Sequence, residues 1–148
     1  MNTKLKISGT LLIAVFALAC TPKKDYKTSR DEVMKLHDIV MADQGRIVEN
    51  QMKTDTLLRD LAGLKVKFPD VDTVSTQDTL RMVALNLARA EEAMNTWMHE
   101  FEPDVTGKSN EDAIKYFEAE KRKIVGIDSM YKAELKSSDA YLNKFKSK

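Results

Sequence analysis

Apolar residues in this chain return every three or four positions, and they do so in three separate runs. Val33, Leu36, Val40, Ile47, Leu58 and Leu61 form the first, with His37, Gln44, Gln51 and Thr54 on the same stripe. Leu80, Val83, Leu87, Ala90, Met94, Trp97 and Phe101 form the second. The third holds Ile114, Phe117, Ile124, Tyr131, Leu135, Leu142 and Phe145, with Lys121, Asp128 and Ser138 between them. Spacings of three and four gather side chains on one face of an α-helix. No useful stretch alternates with the period of two that a half-buried strand requires, and "FPDVDTV" at 68–74 reads as a loop.

Start and stop signals bracket each run. Ser29 with Glu32, Ser75 with Asp78 and Ser109 with Asp112 have the capping-box spacing. Gly63 and then Phe68-Pro69 close the first run, and Pro103 closes the second. Gly and Pro are scarce while Ala, Glu, Lys, Leu and Met are plentiful, a helix-forming composition. The pattern predicts helices over about 29–64, 76–102 and 110–146. Short links make neighbours antiparallel, so the expected fold is all-α, an up-down-up antiparallel three-helix bundle over 29–148. At a rise of about 1.5 Å per residue the first and third helices would be roughly 50 Å long. Polar positions within the stripes point to a slim rod rather than a deep enzyme cleft.

Ahead of the bundle stands a different kind of sequence. Lys4 and Lys6 precede an apolar run from Ile7 to Ala19, too short for a permanent span of about 20 residues. A basic start, a brief apolar stretch and small residues at its end make a secretory signal over 1–19. Ala17-Leu18-Ala19 is followed by Cys20, the only cysteine. Ala17-Leu18-Ala19-Cys20 resembles the lipobox of bacterial lipoproteins, with Ala17 where Leu is commonest. The resemblance implies cleavage before Cys20 and acylation of that residue, which would anchor the chain durably. A plain secreted protein and an uncleaved signal-anchor are the competing readings. Thr21 after the anchor, rather than Asp, implies an outer-membrane destination. Residues 20–28 read as a polar tether. A mature chain without further cysteine can form neither an internal disulfide nor a thiolate metal site.

Composition excludes some functions. Lys4 and Lys6 account for two of 24 basic residues, so 22 face 23 acidic ones after cleavage, a balance unlike a nucleic-acid surface. The densest basic stretch, AEKRK at 119–123, is flanked by Glu118 and reads as a solvated helix face. Phosphate loops, G-x-S-x-G and H-E-x-x-H are missing from the sequence, so no enzyme activity is expected. One constellation invites metal chemistry: His37 and Met41 lie one turn apart, as do Met94 and Met98 beside Trp97. In a hairpin turning near 65–75, position 44 would face about 98, bringing His37, Met41 and Met98 to the tether end. Thioether and imidazole groups suit Cu(I). The plainer reading is that Met fills irregular core gaps and one inward His satisfies a carbonyl. No other cofactor is expected.

These same residues carry a second resemblance. His37-Asp38 with Val40-Met41, then Met94, Trp97-Met98 and Phe101 behind a lipobox, resemble a group of small Bacteroidota lipoproteins often labelled "viral A-type inclusion protein". Where relatives often show Glu-Val-Met after His-Asp, this chain has Ile39-Val40-Met41; where they often continue Pro-Lys, it has Ala42-Asp43. The resemblance implies a helical, envelope-anchored protein and carries over no catalytic residue. Bacteria of that group also attach O-glycans at Asp-Ser/Thr before an apolar residue, which would mark Thr56, Thr73, Thr79 and Ser129, the loop residue Thr73 first. Asp-Thr near a cap is equally ordinary helix chemistry. The expected role is structural or interactive, with membrane contact through Cys20. The protein partner would be an envelope protein or a second copy, met through apolar edge residues such as Met34, Val48, Leu57, Tyr116 and Ile127; these could equally widen the core.

Overall fold

The computed structural model describes residues 25–146, which form four helices, three long and one short, packed as a bundle. They are α1 (Tyr26–Arg59), α2 (Leu61–Lys67), α3 (Thr73–Glu100) and α4 (Asn110–Leu142), the last running into a 3-10 turn at Asn143–Phe145. The segment 1–19 expected to be a signal, Cys20 and the expected tether as far as residue 24 lie outside the described residues.

The polar contacts between helices give their directions. Glu32 pairs with Lys121, Gln44 with Tyr131 and Asn50 with Ser138, so α1 and α4 run the same way. His37 lies against Trp97, whereas Gln51, farther along α1, meets Glu91, so α3 runs against α1. Trp97 donates to Glu120 and ties α3 to α4.

Within each long helix the buried residues recur at seven. Val33, Val40, Ile47 and Thr54 are fully buried on α1. Leu80, Leu87 and Met94 do the same on α3, and Phe117, Ile124 and Tyr131 on α4. A repeat of seven keeps one face toward the neighbours over many turns, the condition for coiled-coil packing. Each of the Val, Ile, Leu, Met and Phe side chains among them contributes about 1.5–3 kcal/mol on leaving water. Tyr26, Phe101, Tyr116 and Phe117 add an aromatic cluster at the tether end, where Tyr26 stacks on Phe117 with centroids 6.4 Å apart.

Two of the three expected caps are corrected. Helix α1 begins at Tyr26, capped by Asp25, whose carboxylate accepts from Lys27 N at 3.2 Å. Ser29 is its fourth residue, buried, with Oγ unpaired among the described residues. Asp72 caps α3 by accepting from Val74 N at 3.0 Å, while Ser75 sits exposed inside the first turn. An aspartate four residues upstream of Ser29 and three upstream of Ser75 offers a charged acceptor to the positive helix end, which favours the earlier start. The third cap stands as expected: Ser109 Oγ accepts from Asp112 N at 3.1 Å.

The first helix is also shorter than its pattern. Asp60 leaves the helical conformation at φ −131°, ψ 60°, and its carboxylate caps α2 through Gly63 N at 2.8 Å. A Cβ on Gly63 would collide with that carboxylate at 2.1 Å, so glycine there permits the close approach. Because α1 stops at Arg59 and α3 starts at Thr73, Gln44 comes level with Glu91 rather than Met98. At the other end the link to α4 turns at Gly107, φ +87°, a left-handed conformation that glycine adopts without strain.

The cap assignment makes a measurable difference. Asp72→Ala should cost about 1 kcal/mol of unfolding free energy and Ser75→Ala less than about 0.5 kcal/mol, compared by urea denaturation. The reverse order would restore the later start.

Candidate functional site

The polar residues on the inner faces form two connected layers. In the middle of the bundle the Glu91 carboxylate receives both glutamines of α1, Gln44 Nε2 at 3.0 Å and Gln51 Nε2 at 2.9 Å. The carbonyl of Gln44 accepts from Tyr131 Oη at 2.5 Å, bringing in α4. Burial first, and the nearby Glu91 charge second, push the Tyr131 phenol up to about 12, so it stays a neutral donor. One bond network therefore touches all three long helices.

A second layer lies toward the C-terminal end of α1. Asn50 is buried and donates through Nδ2 to Ser138 Oγ at 2.9 Å and to Asp139 Oδ1 at 2.7 Å. Arg46 reaches the other Asp139 oxygen at 2.7 Å. The Asn50 hydrogen bond, with Arg46 in support, holds the Asp139 carboxyl below its usual range. Beside this layer opens an apolar groove of about 470 Å³ between α1 and α4, with Met52, Leu57, Leu142 and Phe145 in its walls.

At the tether end Trp97, the only tryptophan, is buried and its indole donates to Glu120 Oε2 at 2.9 Å. Lys123 neutralises the second oxygen at 2.9 Å. The stretch around Glu120 is thus not simply a solvated face: it carries a buried carboxylate with partners on both oxygens. Sequence reasoning had no signal for this, because pairing Glu120 with Trp97 requires the register of two helices.

The His/Met residues are placed as follows. His37 is partly buried, its ring 6.1 Å from that of Trp97 and its Nδ1 3.0 Å from Asp38 Oδ1. Met94 is fully buried, and Met41 packs partly buried against the same core. Met98 is 39 % exposed and borders a shallow depression with His99 and Asn95. Met41 and Met94 thus belong to one packed core, while Met98 is at the surface. Among the described residues, no three His, Cys, Asp or Glu side chains converge to hold a metal ion.

The four hydroxyls marked for glycans all sit on helices. Thr56, Thr79 and Ser129 donate to the carbonyl four residues back, at 2.8, 2.9 and 2.9 Å. Thr73 is the first residue of α3, not a loop residue, and follows the capping Asp72. The predicted edge residues divide. Met34 and Val48 are 37 % exposed, whereas Ile127 is core and Tyr116 accepts from Glu102 N within the aromatic cluster. No protein-family model matches this chain, and no curated protein or solved structure matches it. No described helix is long and apolar enough to cross a membrane.

The Asp139 layer predicts an acid limb. A carboxyl whose folded pKa is depressed stabilises fully above its unfolded value of about 3.9, and that stabilisation is lost as pH falls through the folded value. Asp139→Asn should therefore be less stable than the parent at pH 7 and converge with it in strong acid, followed by Trp97 emission in urea. A gap that persists unchanged in strong acid would contradict this reading.

Proposed function

We propose that this protein is a lipid-anchored envelope protein whose helical bundle has a structural or binding role rather than a catalytic one. The observation that carries the proposal is the position of the single cysteine. Cys20 follows Ala17-Leu18-Ala19 at the end of an apolar run and precedes the capping Asp25 by five residues. Acyl chains on Cys20 would hold the rod within a short reach of the bilayer, since six residues from Cys20 to Tyr26 span at most about 20 Å. Several chains on one residue give durable anchoring where one gives only marginal binding.

The interior supports a scaffold role. Three of its carboxylates are engaged in joining helices: Glu91, Asp139 and Glu120 each hold a partner on another helix. Carboxylates so occupied serve register rather than proton transfer. Side faces and the groove beside Leu57 and Leu142 are the surfaces left for partners.

Metabolic labelling with palmitate tests the anchor. Label should enter the parent chain and be absent from Cys20→Ala, which should move from the membrane to the soluble fraction. An unlabelled parent, or a Cys20→Ala chain that stays equally membrane-bound, overturns the proposal.

A further inference from the structure

Helix α3 carries two seams of heptad spacing, and only one of them is used inside the bundle. The inner seam, Thr76, Leu80, Val83, Leu87, Ala90, Met94 and Trp97, is buried throughout. On the opposite side Ser75, Asp78, Met82, Leu85, Arg89, Glu92, Thr96 and His99 recur at alternating intervals of three and four, and every one is exposed. Met82 is 54 % and Leu85 43 % exposed, the two large apolar side chains at the centre of this outer seam. A face with an apolar centre and charges of both signs at heptad spacing is a helix-pairing surface.

The geometry points to a second copy of this chain as the occupant, bound through α3 against α3 in antiparallel register. Parallel pairing sets each seam residue against itself, so Asp78 meets Asp78, Arg89 meets Arg89 and Glu92 meets Glu92. Like charges facing across an interface are costly, which rejects that arrangement. Antiparallel pairing sets alternate seam positions against each other. When the two-fold axis passes between Val83 and Ala84, Met82 meets Leu85 of the second copy twice and Asp78 meets Arg89 twice. Shifting by one heptad loses this match: Met82 then faces Glu92 or Asp78. Only one register satisfies both the apolar pair and the charges.

Within its own chain Asp78 has only a loose ion pair with Arg81 at 3.8 Å, the two side chains 71 % and 64 % exposed, so it remains accessible. The pairing is a property of α3 and does not depend on the anchor. For copies anchored through Cys20 it adds a constraint. Antiparallel rods send their tethers from opposite ends, so both reach one membrane only when the pair lies along the surface. Confinement there raises effective concentration, which lets a small interface act.

Charge reversal tests the register directly. Sedimentation velocity of the full chain, in nonionic detergent above its micelle concentration, should show self-association within a range reaching roughly 1 mM. Asp78→Arg and Arg89→Asp should each weaken it about tenfold or more, because like charges then meet twice in the pair. The double variant Asp78→Arg/Arg89→Asp should return to near the parent affinity. Both substituted residues are exposed, and helicity by circular dichroism should be unchanged. A parent that stays monomeric throughout, or a double variant no better than the single ones, overturns the inference. Membrane fractionation of the same variants reads the anchor separately, so failure of one is not failure of the other.

Discussion

All three long helices meet at the carboxylate of Glu91. It holds Gln44 and Gln51 from α1, and Gln44 in turn takes the hydroxyl of Tyr131 from α4. Apolar seams repeating every seven residues have a weakness: sliding one helix by a heptad still buries Val against Leu. A polar layer restricts that freedom, because a slipped register would separate Glu91 from the half-buried amides and leave the buried Tyr131 without Gln44 as its partner. Neutral hydrogen bonds each contribute only about 1 kcal/mol, so the layer matters more for choosing the register than for total stability. The apolar seams supply the stabilisation; Glu91, Asn50 and Glu120 decide how they mesh.

Much of the fold was legible from apolar spacing alone. Val33, Val40, Ile47, Leu87, Met94, Trp97, Phe117, Ile124 and Tyr131 were read on inner stripes and are buried. The polar stripe members Gln44, Gln51 and Ser138 were also legible, since they interrupt a regular pattern. Their partners were not. Glu91 and Glu120 look like any solvated glutamate until two helices are placed side by side. The caps failed for another reason: Asp25 and Ser29, like Asp72 and Ser75, are both competent N-caps within one turn of each other. A local pattern cannot rank them, and tertiary packing of Tyr26 on Phe117 favours the longer α1. Asp60 broke the first helix because its side chain caps Gly63, a competition that helix periodicity does not register.

The candidate site was legible only in part. His37 lies against Trp97 and Met94 is fully buried, yet Met98, near the C-terminal end of α3, is 39 % exposed. The carboxylates of Glu91, Asp139 and Glu120 are each taken up in contacts between helices. The outer seam of α3 stands apart from the core, and Met82 and Leu85 at its centre are exposed.

Native-state hydrogen exchange with increasing denaturant tests the central claim that the three long helices, meshed in one register, form a single cooperative unit. Amides at Val40–Ile47, Leu87–Met94 and Ile124–Tyr131 should share the highest opening free energy and converge on the global unfolding value. One of these segments exchanging at a distinctly lower free energy, so that a helix opens alone around an intact pair, would contradict it.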